Sequence, residues 1–94
     1  MDMLEELQRV VEDRKRNPTP ESYTAKLLFH EKGEDKVLEK FGEECIELIL
    51  ACKNGKKEEI IYEAADLLYH LVVLLSKYDV KVEEVFDELR RRKK

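Results

Sequence analysis

Two strongly apolar helical segments, separated by a short polar break, constrain the fold of this 94-residue chain more than any other feature. They occupy residues 34–53 and 57–78, and the break contains Asn54 and Gly55. Apolar residues recur at helical spacing in both segments, and glycine commonly stands just beyond a helix end. Because so short a connection makes two helices antiparallel neighbours, we predict a helical hairpin at the centre of the fold.

Three shorter helices are predicted to flank the hairpin. They cover approximately residues 2–16, 20–30 and 82–92, and the second of them directs Leu27, Leu28 and Phe29 inward. The start of that helix has two solutions, since Thr19 before Pro20 and the nearby Ser22 are both suitable N-caps. No segment alternates as a strand does. The sequence therefore predicts an all-α, antiparallel bundle of about five helices, with residues 1–94 forming one domain.

The second half of the fourth helix is apolar around almost its whole circumference, notably over residues 71–75. A helix with no polar face has to be surrounded by other structure. A monomer of this length buries only about 60–65% of its surface, which is too little to enclose two such helices. We therefore expect a homodimer.

Composition restricts the partners and the compartment. The net charge of −4 argues against a general nucleic-acid binder, and the chain has no run of about 20 apolar residues that suggests a membrane.

Cys45 and Cys52 are expected roughly 10 Å apart on one helix, too far for a disulfide and typical of a reducing compartment. With no recognisable signal peptide, the expected location is the cytoplasm. Abundant Lys and Glu beside few Asn and Gln favour a thermophilic source.

Carboxylates stand at helical spacing on the otherwise apolar faces of the hairpin. Glu44 and Glu47 are three residues apart on its first helix, and Glu63 and Asp66 are three apart on its second. Residues at this spacing share one helix face, so antiparallel packing can bring the two pairs together. Converging carboxylates resist ionisation unless a cation is bound, and Mg²⁺ or Mn²⁺ suits such oxygen ligands. A solvated acidic helix face has the same spacing, which leaves both interpretations open.

The scarcity of histidine narrows the choice of metal. A di-iron bundle site needs Glu-x-x-His repeats, but the residue three positions before His70 is Leu67. Because His30 is the only other histidine, zinc is also disfavoured. His70 follows Asp66 by one helical turn, and it is either a hydrogen-bonded core residue or a group that contacts substrate or holds a carboxylate.

Several segments of the chain match known families in order. They are Ser22-Tyr23-Thr24, Lys40-x-Gly42-Glu43-Glu44-x-x-Glu47 and Glu63-x-x-Asp66-Leu67-x-Tyr69-His70. The four acids resemble the metal signature of the all-α nucleoside triphosphate pyrophosphohydrolases, the MazG-like superfamily. The three segments together more narrowly resemble the phosphoribosyl-ATP pyrophosphatase family, and the resemblance covers essentially the whole chain.

This resemblance implies a homodimeric helical bundle with a nucleotide as its substrate. It implies hydrolysis of the α–β phosphoanhydride of phosphoribosyl-ATP to phosphoribosyl-AMP and pyrophosphate, in histidine biosynthesis. Such chemistry requires metal ions that neutralise the triphosphate and activate water, together with positioning groups, and it needs no nucleophilic side chain.

The expected roles follow from this chemistry. We expect the metal ligands to be Glu44, Glu47, Glu63 and Asp66. Glu43 is expected as an extra ligand or as a base that orients water. Lys40 is expected to contact phosphate, with an ion pair to Glu43 or Glu44 as its alternative role. We expect contacts to phosphate, ribose or other substrate groups from Arg14, Ser22, Tyr23 and His70. A helix end explains Arg14 equally well, and a capped turn explains Ser22.

Two other functions fit the same residues. The first is a housecleaning pyrophosphatase for canonical or damaged nucleotides, which keeps the mechanism and changes the substrate. The second is a non-catalytic helical module for dimerisation or partner binding. In that case Glu47→Gln and Asp66→Asn should be neutral or stabilising, because both relieve charge repulsion.

Overall fold

The computed structural model describes residues 2–93 and contains five α-helices joined by short turns. The helices are α1 (Met3–Arg16), α2 (Tyr23–Leu28), α3 (Glu34–Asn54), α4 (Lys57–Lys77) and α5 (Val82–Arg92). Within this described range the chain has no β-strand. The prediction of an all-α bundle of about five helices is therefore confirmed.

The long helices α3 and α4 form the predicted hairpin, and each has 21 residues. Gly55 ends α3 in a left-handed conformation (φ 74°), and its N–H donates to the carbonyl of Ala51 at 3.1 Å. A residue with a side chain is strained at such a φ, so glycine allows the chain to turn back at once. As a result α3 and α4 make the most extensive helix contact in the described chain.

The short helix α2 is held at both ends. Ser22 is its N-cap, with Oγ accepting a hydrogen bond from the backbone N–H of Ala25 at 3.1 Å, so the start with Thr19 as cap is wrong and the alternative start at Ser22 is confirmed. At the other end Lys77 of α4 donates to the carbonyl of Leu28 at 3.0 Å. Because α2 stops there, Phe29 lies outside the helix and is exposed, contrary to the prediction that it faces inward.

The core lies where α1 packs against α4, α2 packs against α1 and both hairpin helices, and α5 packs against α1. Its buried apolar residues are Val11, Leu27, Leu28, Val37, Val72, Val73 and Val82. Three hydrogen bonds of the Gln8 side chain, which we call the polar staple, lie at the edge of this core. The side chain of Gln8 donates to Ser76 Oγ (3.3 Å) and to the carbonyl of Val80 (2.9 Å), and it accepts from the N–H of Val82 (2.7 Å). The staple fixes the turn between α4 and α5 against α1.

The hairpin end that contains the α3–α4 turn extends beyond the core, and it leaves apolar side chains exposed. They are Ile46, Ile49, Leu50, Ile61, Tyr62 and Leu68, which we call the apolar face. Both cysteines are free thiols, and Cys52 is exposed. None of the helices among residues 2–93 has the length and apolar character required to cross a membrane.

Candidate functional site

The carboxylates that were predicted to converge lie on facing sides of α3 and α4. Glu44 of α3 is 7% exposed, and Asp66 of α4 is half-buried opposite it. One carboxylate oxygen from each and one ring nitrogen of His70 all lie within 4.8 Å of one another. The two carboxylate oxygens are close enough to bind one metal ion after small side-chain adjustments.

The charge of Glu44 is poorly compensated by the protein. Its Oε1 lies 3.8 Å from the ammonium of Lys40, whereas its Oε2 is buried without a hydrogen-bond partner. Burial, and next a shared hydrogen bond with Asp66, raise the pKa of Glu44 to about 7. When Glu44 is protonated it can donate to Asp66, but when it is ionised the buried oxygen has no donor. A cation satisfies that oxygen, so these residues fit a metal ion.

The other two predicted metal ligands share the same pocket. Its volume is about 330 Å³, and it is lined by Lys40, Glu43, Glu44, Glu47, Tyr62, Glu63 and Asp66. Partial burial, and then the negative charges of Glu47 and Asp66, raise the pKa of Glu63. All four carboxylates of the predicted pattern therefore meet in one pocket, and we call it the acidic pocket.

Lys40 is the only basic side chain that lines the acidic pocket within the part of the chain that the structure describes. Its ammonium lies 3.2 Å from Glu43 Oε2 and 3.8 Å from Glu44 Oε1. The hydrogen bond with Glu43 is the main cause of a raised pKa for Lys40, so the ammonium stays charged at neutral pH. The ion pairs expected of Lys40 are present, and its position also suits a phosphate contact.

The residues predicted at the edge of the site lie at different distances from it. Tyr23 is adjacent, since its hydroxyl is 3.4 Å from Nε2 of His70. The hydroxyl of Ser22 is used by the cap of α2. Arg14 lies in the last turn of α1, pairs with Asp13 at 2.7 Å, and does not line the acidic pocket.

Three side chains near the site received no role from the sequence. Tyr62 lines the acidic pocket and is 69% exposed. Thr24 of α2 and Tyr69 of α4 hydrogen-bond to each other, with their oxygens 2.5 Å apart. Thr24 and Tyr69 both stand in the segments that carry the family resemblance. Their pairing, however, joins positions 45 residues apart, which local spacing does not reveal.

A larger groove of about 690 Å³ runs between α1 and the turn from α4 to α5. Four acidic and three basic side chains line it, so that its charges nearly cancel: Glu5, Glu12, Asp79 and Glu83 against Arg9, Arg16 and Lys81. The close set of possible metal ligands found among the described residues is in the acidic pocket instead. We therefore assign the functional site to the α3–α4 hairpin.

The fold and the site together define an all-α protein with a carboxylate pocket suited to a metal ion. Comparison with known families narrows this class, because the profile of the phosphoribosyl-ATP pyrophosphohydrolase family matches residues 4–93. The chain belongs to this family, which confirms the resemblance noted above, and it is accordingly a hydrolase.

Relatives named phosphoribosyl-ATP pyrophosphatase match nearly the whole chain. One from Methanocella arvoryzae is 52% identical over 93 residues, which is 99% of this chain and 98% of the relative. One from Geotalea daltonii is 52% identical over 91 residues, covering 97% of this chain and 84% of the relative. One from Geobacter sulfurreducens is 54% identical over 91 residues, covering 97% and 82%.

Proposed function

We propose that this protein hydrolyses the α–β phosphoanhydride of phosphoribosyl-ATP to phosphoribosyl-AMP and pyrophosphate, an early step of histidine biosynthesis. The family assignment over residues 4–93 supports the substrate. The structural observation that carries the chemistry is the buried Oε2 of Glu44, which has no hydrogen-bond donor, on a residue whose carboxylate lies close to Asp66 and His70. A buried carboxylate of this kind is costly unless a cation completes it.

We propose Mg²⁺ as that cation, with Mn²⁺ as a substitute. The residues that would hold it are Glu44, Glu47, Glu63 and Asp66. Carboxylate oxygens are the ligands that both ions prefer, and Mg²⁺ sites commonly leave positions for water and substrate phosphates. When bound, the ion supplies neutralisation of phosphate charge and a lower pKa for a coordinated water.

The protein's own groups position the reactants. Lys40 binds a phosphate oxygen of the substrate, since its ammonium is charged and faces the pocket. Glu43 lies beside Lys40 with much of its carboxylate exposed, and it orients the attacking water or accepts its proton. The water oxygen forms a new bond to phosphorus, and the bridging oxygen leaves with pyrophosphate. Most of the catalysis in such a transfer comes from positioning and charge stabilisation.

The substrate beyond the phosphates meets the edge of the acidic pocket. Tyr23 and His70 form its wall on the α2 side, where the Tyr23 ring is half exposed. Ser22 accepts a hydrogen bond from Ala25 and can still donate its own proton to an anion. Arg14 would bind a phosphate only after releasing Asp13, and an exposed ion pair of that kind costs little to break.

The protein acts as a homodimer through the apolar face. Ile49 and Ile61 are 60% and 59% exposed in the single chain, and burying such side chains is favourable by about 25 cal/mol per Å². Tyr62 belongs both to this face and to the acidic pocket, so the second subunit lies close to the substrate. The cytoplasm remains the expected location.

A pyrophosphate-release assay with phosphoribosyl-ATP, ATP and dUTP in the presence of Mg²⁺ tests this function. We expect release from phosphoribosyl-ATP, and we expect Glu44→Gln and Asp66→Asn to abolish it while remaining folded. Glu39→Gln is the matched control, because Glu39 lies on α3 but is exposed and pairs with Lys32.

Each other outcome of this assay has a distinct meaning. Pyrophosphate release from dUTP but not from phosphoribosyl-ATP would support the proposed reaction type but contradict the proposed substrate. The protein would then act as a housecleaning pyrophosphatase. No release from any of the three nucleotides contradicts the enzymatic function and favours a non-catalytic dimerisation module.

A further inference from the structure

Two of the polar contacts that the short helix α2 makes with α4 involve Tyr69 and His70, which follow Asp66 on the same helix. The hydroxyl of Thr24 is 2.5 Å from that of Tyr69, and the hydroxyl of Tyr23 is 3.4 Å from Nε2 of His70. Thr24 is buried, and Tyr69 is half-buried. Because little water competes at Thr24, its bond with Tyr69 is expected to persist.

The ring of His70 links these contacts to Asp66. Its Nδ1 lies 2.9 Å from the main-chain oxygen of Asp66 and 3.5 Å from the carboxylate Oδ1 of the same residue. A carbonyl oxygen only accepts hydrogen bonds, so Nδ1 carries the proton. In a neutral ring Nε2 is then an acceptor, and the hydroxyl of Tyr23 donates to it. His70 is 4% exposed, which leaves the ring few other partners.

The aromatic ring of Tyr69 packs directly against the ring of His70, so the position of one ring constrains that of the other. The Tyr69 and His70 rings are 4.9 Å apart at an interplanar angle of 85°, an edge-to-face arrangement. The Tyr23 ring lies 6.3 Å from that of Tyr69 and 6.1 Å from that of His70. A shift of Tyr69 therefore displaces both partners of the Tyr23–His70 hydrogen bond.

We propose that Thr24 and Tyr69 are positioning residues for the carboxylate site. Their hydrogen bond holds α2 against α4, so that Tyr23 fixes His70 and His70 in turn orients Asp66. Groups that orient a ligand through hydrogen bonds often matter nearly as much as the ligand, and their loss typically costs 10–100-fold in metal affinity or activity. The inference rests on the metal site proposed above, but neither Thr24 nor Tyr69 lines the acidic pocket.

A third hydrogen bond between the same two helices provides the matched control. Lys77 of α4 donates to the carbonyl of Leu28 at the far end of α2. Lys77→Met breaks an α2–α4 hydrogen bond without touching Tyr69 or His70. If Thr24 acts only by stabilising the fold, Thr24→Val and Lys77→Met should affect the site equally.

The first measurement is nitrogen-15 NMR of the histidine rings in metal-free protein. The pH of the sample is set well above 6.5, which is about the pKa of an ordinary histidine. We expect a proton on Nδ1 of His70, and we expect the opposite tautomer for His30, whose Nδ1 accepts from the N–H of Lys32. Thr24→Val and Tyr69→Phe should move the Nε2 signal of His70 toward that of a free ring. His30 and the Lys77→Met variant should show no such change. An unchanged His70 signal in both variants overturns the proposal.

The second measurement is the dissociation constant for Mn²⁺, obtained by direct titration without substrate. Thr24→Val and Tyr69→Phe are expected to weaken binding about 10-fold, whereas Thr24→Ser and Lys77→Met keep it. The double variant should bind no worse than either single one, since the pair acts as a unit. Equal losses in Thr24→Val and Lys77→Met overturn the positioning role. If the wild-type protein binds no Mn²⁺, the proposed metal site fails, and the NMR result still decides whether Thr24 and Tyr69 position His70.

Discussion

Glu44 on α3 and Asp66 on α4 face each other across the hairpin, with a carboxylate oxygen of each within 4.8 Å and the second oxygen of Glu44 buried without a donor. Neither helix alone creates this relationship. Burial disfavours the charged form of Glu44, and the neighbouring carboxylate of Asp66 adds to this effect, so the pKa of Glu44 rises to about 7. The metal-free protein therefore holds a proton near neutral pH in the place where a cation would bind.

The metal-free protein should lose stability as the pH rises from about 4.5 to 7. The folded-state pKa of Glu44 is raised from 4.5 to about 7, so the folded state binds more protons than the unfolded state in this window. The stabilisation is complete below the lower value and lost above the higher one. This pKa difference is worth about 3 kcal/mol, measurable by urea denaturation in the presence of a chelator. Glu44→Gln should give a flatter profile, and a profile that matches wild type would contradict the assignment.

Mg²⁺ should stabilise the folded protein. At 100 times its dissociation constant, a ligand that binds only the folded state adds about 2.7 kcal/mol, which raises the midpoint of thermal unfolding by roughly 10 °C or more for a chain of this size. Asp66→Asn should remove most of this increase. The control is Asp87→Asn on α5, which breaks an exposed pair with Arg90 and should respond to Mg²⁺ as wild type does. If Mg²⁺ raised the unfolding midpoint of Asp66→Asn as much as that of wild type, the metal would bind at another site.

Lys40→Met should lower kcat/KM for phosphoribosyl-ATP by about 10- to 100-fold. A charge-assisted hydrogen bond to a phosphate contributes about 1.5–3 kcal/mol, and Lys40 is the basic side chain of the acidic pocket. Steady-state pyrophosphate release measures the effect. Lys32→Met serves as control, since Lys32 pairs with Glu39 on the exposed surface. If the activity of Lys40→Met were within a few-fold of wild type, the proposed phosphate contact of Lys40 would be wrong. Its role would then be limited to the ion pairs with Glu43 and Glu44.

Gln8→Leu should destabilise the protein by about 1–3 kcal/mol and leave kcat unchanged at low temperature. The variant removes three hydrogen bonds and leaves the N–H of Val82 and the carbonyl of Val80 without their partner. Thermal unfolding and activity assays measure the two effects. Glu6→Leu, at an exposed position of α1, should have little influence on either. A large loss of kcat in folded Gln8→Leu would show coupling between this staple and the site.

Ile49→Lys and Ile61→Lys should convert the protein from a dimer to a monomer, because each introduces a charge into the apolar face. Size-exclusion chromatography with light scattering measures the mass directly. Met3→Lys, at an exposed apolar position of α1, is the control and should leave the dimer intact. A wild-type protein that is strictly monomeric at micromolar concentration would refute the proposed assembly.

The helices were predictable because their signals are local. Apolar periodicity and the position of Gly55 predicted α3 and α4 to within a residue or two of their observed ends. The start of α2 was ambiguous, since two nearby residues can cap a helix, and only the bond from Ala25 N–H to Ser22 resolves it. The end of α2 was missed, because the contact of Lys77 with Leu28 comes from a distant part of the chain.

The members of the acidic pocket were predictable for a similar reason. A spacing of three residues on each of two neighbouring helices directs Glu44, Glu47, Glu63 and Asp66 toward a common region, and all four line one pocket. Their roles as metal ligands remain predictions. The Thr24–Tyr69 bond could not be foreseen, since the two residues are distant in sequence and lie on different helices.

The sequence alone thus determined the helical hairpin and the face on which each acid lies, because helical periodicity depends only on neighbours a few residues apart. Only the tertiary structure decided which of the acids is buried. Glu44 is enclosed and Glu47 is exposed, although both belong to the same predicted pair. Burial and the hydrogen bonds that shift a pKa depend on side chains from other helices, here Asp66 of α4, and the tertiary fold is what brings them together.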